Sequence, residues 1–168
     1  MGQKSIKKII ITGDAARGKS TLAGKLAQKL GIPHFSTDDF YYEVKFTKMR
    51  SKEDSVQAIA EVYKGDKWIV EGATEHMIEP GLQSADLVIC LKHNNLFAQW
   101  TYLVKRHFRS DNETTGDLFE FMRHVFYKRY SIGYRKGQPT IHEFIAPYGE
   151  KVVTLSSFKE MEEFFNSL

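Results

Sequence analysis

"IIITGDAARGKST", residues 9–21, decides how the rest of the chain is read. Three consecutive β-branched isoleucines and a threonine suit a buried strand. Gly13 and Gly18 then frame four residues, and Lys19, Ser20 and Thr21 follow. The spacing Gly13-x-x-x-x-Gly18-Lys19-Ser20 is that of a phosphate-binding loop. Glycines permit backbone angles that a side chain forbids, so successive N–H groups can turn inward onto phosphate oxygens. A helix opening near Lys19 adds the positive end of its dipole. Lys19 is then expected at the β- and γ-phosphates and the Ser20 hydroxyl on Mg²⁺. On this reading Gly13, Asp14, Ala15, Ala16, Arg17, Gly18, Lys19, Ser20 and Thr21 hold the phosphates of a nucleotide. The competing reading is a glycine turn that matches by chance. The strand before the loop and the helix after it favour the phosphate site.

Around this loop, strand-like runs alternate with helical patterns. Ile6–Thr12 reads as the first strand and Thr21–Leu30 as a helix, with Leu22, Ala23, Leu26, Ala27 and Leu30 on one face before Gly31 and Pro33 stop it. Ile32–Ser36 reads as a second strand. Ser51–Tyr63 reads as a helix opened by Ser51 and Asp54. Lys67–Glu71, Asp86–Leu91 and Lys151–Leu155 read as three further strands, and Lys159–Leu168 as a closing helix. Such alternation predicts a parallel sheet covered on both faces, with ligands at the carboxyl ends of its strands.

Composition narrows the class. The 168 residues predict one domain, and 42% apolar with 27% charged residues predicts a globular one. A net charge of +3 does not by itself argue for nucleic acid. A single cysteine, Cys90, excludes a disulfide framework within the chain and a cysteine zinc site. Within "LVICL" it reads as a buried small hydrophobe. The six histidines show no metal-ligand spacing. No run reaches the roughly 18 apolar residues of a membrane span. The amino terminus reads as a core strand rather than a signal peptide, and the expected compartment is the cytoplasm.

Further candidates fall at strand ends or between 96 and 136. Asp38 and Asp39, after the second strand, should point in different directions. One of the two can act as general base or hold a metal-bound water, and the other can cap the next helix. Asp38 is favoured for the chemistry, with Asp39 beside it at the acceptor. Glu71 and Gly72 end the third strand. There Glu71 can orient the metal's water shell or the acceptor, and Gly72 lets a substrate approach the backbone. Arg50 is a candidate for an anionic group on the acceptor. Gln99, Tyr102, Arg106 and Arg109 form one helical stripe, and Arg123, Arg129 and Arg135 follow on the next helix. Arginines of this segment can stabilise the charge of a transferring phosphoryl group, and a helical flap can exclude water. For each arginine a solvated surface role is the plain alternative.

With these pieces placed, the chain resembles the adenylate-kinase-like group of phosphate-loop kinases. Within that group it is most similar to the FlaR-type DNA topology modulation proteins. The residues carrying the likeness are "IIITGDAARGKSTLAGKLAQKLGIPHFSTDDF", "WIVEG", "ADLVICLKHNN", the helix with Arg106 and Arg109, and "KVVTLSSFKEMEEFF". The resemblance implies a three-layer α/β/α P-loop NTPase fold with a five-stranded parallel sheet of order 2-3-1-4-5. It also implies an acceptor-binding segment at about 38–65 and a helical lid at about 106–136. Leu155, Ser156 and Ser157 would border the adenine, and Arg106 would pack near it. The loop departs from many relatives, with Asp-Ala-Ala-Arg in place of Pro, Gly and Ser, so Arg17 is a candidate to touch phosphate or the lid. "EGATE" stands where adenylate kinases carry "DGFPR", and the long lid with metal cysteines is absent. Two functions are therefore expected to compete. One is an ATP- and Mg²⁺-dependent kinase for a small acceptor, a nucleotide or nucleoside on the family likeness. The other is an ATP-binding regulator that acts on DNA or a protein. Asp38 and Asp39 favour a hydroxyl acceptor, while Arg50 and the flap arginines favour a phosphate.

Overall fold

The computed structural model describes residues 6–44, 48–108 and 115–168, the side chains of Val44 and Arg106 excepted. Strand β1 (Lys8–Gly13) lies between β5 (Trp68–Glu71) and β6 (Leu87–Leu91), with β2 (His34–Ser36) and β7 (Val152–Leu155) at the two edges. Every neighbouring pair is parallel. The order β2-β5-β1-β6-β7 is 2-3-1-4-5 when these five strands are counted by themselves. A central parallel strand is buried on both faces and has to be apolar on both. That is why Ile9, Ile10 and Ile11 run consecutively and are all fully buried.

The pleat sends those three side chains to opposite layers. Ile10 packs with Trp68, Val70, Val88 and Cys90 under α3 (Lys52–Tyr63), α4 (Glu75–Leu82) and α7 (Ile141–Ile145). Ile9 and Ile11 pack with Ile69, Ile89 and Leu91 under α1 (Lys19–Leu30) and α8 (Phe158–Ser167). Each fully buried isoleucine contributes about 2 kcal/mol of transfer free energy. The helices over these two cores form the outer layers of the α/β/α sandwich.

Helix α1 starts before the apolar periodicity suggests, because Gly18 caps it in a left-handed conformation (φ 86°). Ser51 caps α3, its hydroxyl accepting from the Asp54 N–H at 3.0 Å. Several elements have no counterpart in the sequence reading: the antiparallel pair β3 (Tyr42–Val44) and β4 (Lys48–Met49), α4 and α7, while α2 (Thr37–Tyr41) enters it only as a helix that Asp38 or Asp39 could cap. Helix α4 contains Pro80 and Gly81, residues that ordinarily mark a turn. Burial of Met77, Ile78 and Leu82 against the sheet overrides that local preference.

Helices α5 (Leu96–His107) and α6 (Thr115–Tyr130) form a third apolar cluster around Leu103, Leu118 and Val125. Ala15 and Ala16 of the glycine-framed loop pack against it. Among the described residues no helix is long and apolar enough to cross a membrane.

The turn out of β1 is tight. Gly13 has φ 116°, and a Cβ there would meet the Leu91 carbonyl oxygen at 2.1 Å. The next N–H, of Asp14, donates to that same oxygen at 2.8 Å. Gly13→Ala is therefore expected to cost about 3 kcal/mol or more in urea unfolding, from backbone strain plus the clash with β6. Stability equal to the parent would show that this turn is not constrained by β6.

Candidate functional site

The loop after β1 turns through two left-handed residues, Ala16 (φ 57°) and Gly18 (φ 86°), and delivers Lys19 to the start of α1. The Lys19 ammonium arches back over the loop, donating to the Asp14 carbonyl at 2.8 Å and the Gly13 carbonyl at 3.3 Å. Burial lowers its pKa below that of an ordinary lysine. The Glu71 carboxylate opposes this, the Lys128 charge adds to it, and Asp14 and Asp38 oppose it. Five ionisable groups from four separate stretches of chain are therefore near enough for their charges to interact.

Next to Lys19, the Ser20 hydroxyl donates to Glu71 Oε1 at 2.9 Å. Glu71 ends β5 and is 5% exposed, so the strand presses its carboxylate against the start of α1. A hydroxyl and a carboxylate side by side are hard oxygen donors of the kind Mg²⁺ takes. Among the described residues no group of three or more His, Cys, Asp or Glu side chains could hold a metal ion. Mg²⁺ here would share its shell with phosphate and water, as it ordinarily does.

The four loop residues between the glycines all engage the second half of the chain. Asp14 Oδ2 accepts from the His93 backbone N–H at 2.7 Å and from Arg129 at 3.2 Å. Ala15 and Ala16 meet the α5–α6 cluster, and the Ala15 carbonyl accepts from Gln99 at 3.4 Å. Arg17, 5% exposed, donates to the Ser156 carbonyl at 2.5 Å and lies 4.6 Å over the Phe158 ring. It thus turns to the end of β7 rather than toward the lid. Arg129 is fixed at three points, donating also to Gln99 Oε1 at 3.4 Å and the His93 carbonyl at 3.1 Å.

One residue further back on α6, Lys128 donates to the Ala73 carbonyl, just past β5, and pairs with Glu75 at 3.2 Å. Arg135 reaches the same Glu75 oxygen at 2.8 Å. Burial alone would raise the Glu75 pKa. The Lys128 charge, a backbone N–H and the Arg135 charge outweigh it and hold Glu75 below the ordinary glutamate range. Burial lowers the Lys128 pKa against the pull of Glu75. The sequence reading singled out neither Glu75 nor Lys128. The signal was slight: "EGATE" in an unusual place, and a lysine adjoining Arg129.

The other candidates separate. Asp38 and Asp39 lie exposed in the first turn of α2, capped by Ser36, and the Asp38 charge reaches both Lys19 and Tyr42. The Arg50 guanidinium donates to the Phe40 carbonyl at 3.0 Å and so fastens β4 to α2. Gly72 does not open a path for substrate: a Cβ there would lie 1.9 Å from the Thr37 hydroxyl oxygen, because Thr37 fills that space. Arg123 pairs with Glu120 at 3.7 Å on the solvent side of α6, on a different face from Arg129. Ser157 caps α8 and Ser156 donates its N–H to Glu160 at 2.7 Å. Thr21 is exposed on α1. Arg109 and the side chain of Arg106 lie outside the described residues. Burial and the Asp14 charge push the Cys90 thiol up to about 12, with His142 at 3.3 Å, so it stays protonated at neutral pH.

No protein-family model matches the chain. The chain is 33% identical over 90 residues to a protein named "Putative adenylate kinase" from Pyrococcus furiosus, over 50% of this chain and 47% of that one. A protein of the same name from Thermococcus kodakarensis is 29% identical over 92 residues, 51% of this chain and 49% of that one. The matched stretch thus spans about half the length of these curated relatives. Among solved structures, shikimate kinase from Bacteroides thetaiotaomicron superposes with a TM-score of 0.57 at 16% identity, covering 97% of this chain and 96% of that one. A gluconokinase from Sinorhizobium meliloti 1021 gives 0.55 at 13% identity, covering 98% and 90%. At such identities the likeness is one of fold, and the fold is that of P-loop kinases.

The charge on Glu75 sets a pH dependence. Its pKa is lowered in the folded protein, so its contribution is complete above the unfolded value, about 4.3, and is lost as pH falls through the folded value. Glu75→Gln is expected to lose about 2–3 kcal/mol at pH 7, with the gap to the parent closing below about pH 4. Urea unfolding across that range measures it. A gap that stays constant into the acid range would mean the charge of Glu75 does not dock α6.

Proposed function

We propose that this protein is an ATP- and Mg²⁺-dependent kinase that moves the γ-phosphoryl group to a hydroxyl of a small acceptor of nucleoside size. The observation that carries the reading is the Lys19 ammonium held over the loop by the Asp14 carbonyl, next to the Ser20–Glu71 pair, with the Asp38 charge also acting on it. Kinase-named relatives and the P-loop kinase fold support it. The finer likeness to FlaR-type proteins belongs to this reading as a statement of kinship, not of DNA binding.

In this mechanism the loop amides and Lys19 bind the β- and γ-phosphates. Mg²⁺, when bound beside Ser20 and Glu71, neutralises phosphate charge. Asp38 takes the proton of the acceptor hydroxyl as its oxygen attacks the γ-phosphorus, and the bond to the β-phosphate oxygen breaks to release ADP. Arg129 adds positive charge from the lid side, and α5 and α6 exclude water. A hydroxyl acceptor is favoured over a phosphate because Arg50 is engaged with the Phe40 carbonyl while the Asp38 charge acts on Lys19.

A screen of nucleosides, nucleoside monophosphates and small alcohols for ADP release above the ATPase background tests the reading. Release with a nucleoside or alcohol is expected. Release with none of them, together with salt-sensitive DNA binding, would instead favour the regulator. Lys19→Ala is expected to abolish turnover while the protein stays folded by circular dichroism. Asp38→Asn is expected to slow transfer by about 10²-fold or more at saturating acceptor. An unaltered rate would return Asp38 to a structural role.

A further inference from the structure

Successive residues of α6 reach different strand ends. Arg129 contacts Asp14 after β1 and His93 after β6, whereas Lys128 contacts Ala73 after β5 and Glu75 at the start of α4. Because β5, β1 and β6 are neighbours, α6 crosses the carboxyl ends of all three.

We propose that Lys128 is a second lysine that contacts the transferring phosphoryl group, opposite Lys19, and that Glu75 is its positioning residue; this rests on the kinase reading. Lys128 is 22% exposed, low for a side chain that ordinarily carries its charge to water. Among the described residues its acceptors are the Ala73 carbonyl and Glu75, whereas an ammonium has three N–H donors. The remaining donor belongs to a group whose charge also acts on Lys19. Two ammonium groups near enough to act on each other repel, and an anion bound by both removes the repulsion. The γ-phosphoryl group of ATP is such an anion, and a lysine meets it as a compact point charge.

Glu75 makes this arrangement stable. Arg135 pairs with the same carboxylate oxygen at 2.8 Å, so Glu75 stays ionised and held as Lys128 leans toward phosphate. Arg123, paired with Glu120 on the outer face, does not compete for the role.

The test compares binding of ADP alone with binding of Mg²⁺, ADP and aluminium fluoride, a planar stand-in for the phosphoryl group in transfer, using calorimetry on the full chain. In the parent, fluoride should tighten ADP binding. In Lys128→Gln, ADP affinity should stay within about 2-fold while the tightening falls by about 10-fold or more, since the lost contact forms only with the transferring group. Lys128→Arg should keep most of the tightening, and Glu75→Gln should lose part of it. Undiminished tightening in Lys128→Gln overturns the inference while the kinase reading stands. Equal loss of ADP and of the fluoride complex also overturns it, by making Lys128 structural. A parent protein that binds no ADP, or that fluoride fails to tighten, overturns the kinase reading itself and the inference with it.

Discussion

Asp14 accepts from the Arg129 guanidinium at 3.2 Å and from the His93 backbone N–H at 2.7 Å, and these bonds hold three distant parts of the chain at one point. A carboxylate buried in a tight glycine-framed loop is costly unless a cation neutralises it. Arg129 supplies that cation, and doing so fixes α6 across the strand ends. The loop, the β6–α5 connection and α6 are thereby placed together. The apolar contact of Ala15 and Ala16 with the α5–α6 cluster follows from the same placement.

Charge is balanced in layers at this mouth. The charges of Glu71, Asp14 and Asp38 act on Lys19, while Lys128 and Arg135 share Glu75. Such half-buried pairs stabilise modestly by themselves, because desolvation offsets most of the attraction. Their larger effect is to hold several cations in fixed positions beside the loop, which is what preorganised stabilisation of an anionic ligand requires. A helix docked mainly through ion pairs and a small apolar cluster can also open at lower cost than the two sheet-packed cores. Those cores hold the strand ends still while α5 and α6 carry the cations.

The segment after β2 is held by steric filling and one side-chain bond. Thr37 occupies the space beside Gly72, and Arg50 ties β4 to α2 through the Phe40 carbonyl. Gly72 and Arg50 thus take part in holding α2 in place. Asp38 lies in the first turn of that helix, and its charge acts on Lys19.

By itself the sequence determined the five core strands and the tight loop between β1 and α1, because both depend on near neighbours. Consecutive β-branched residues in β1 fit only a strand covered on two sides, and the glycine spacing permits only a tight turn into a helix. The order of the strands came from resemblance, since a strand's own residues do not name its neighbour. Helix α4 was not legible, because Pro80 and Gly81 signal a turn and only burial of Met77, Ile78 and Leu82 reverses that. The roles within α6 were equally closed to a linear reading. Helical spacing puts Arg123 and Arg129 on different faces but does not say which face turns inward. Packing of α6 on α5 and Ala15–Ala16 turned Arg129 and Lys128 inward, to partners 115 and 55 residues away. Charge pairing at that separation is set by where helices dock, which local sequence does not encode.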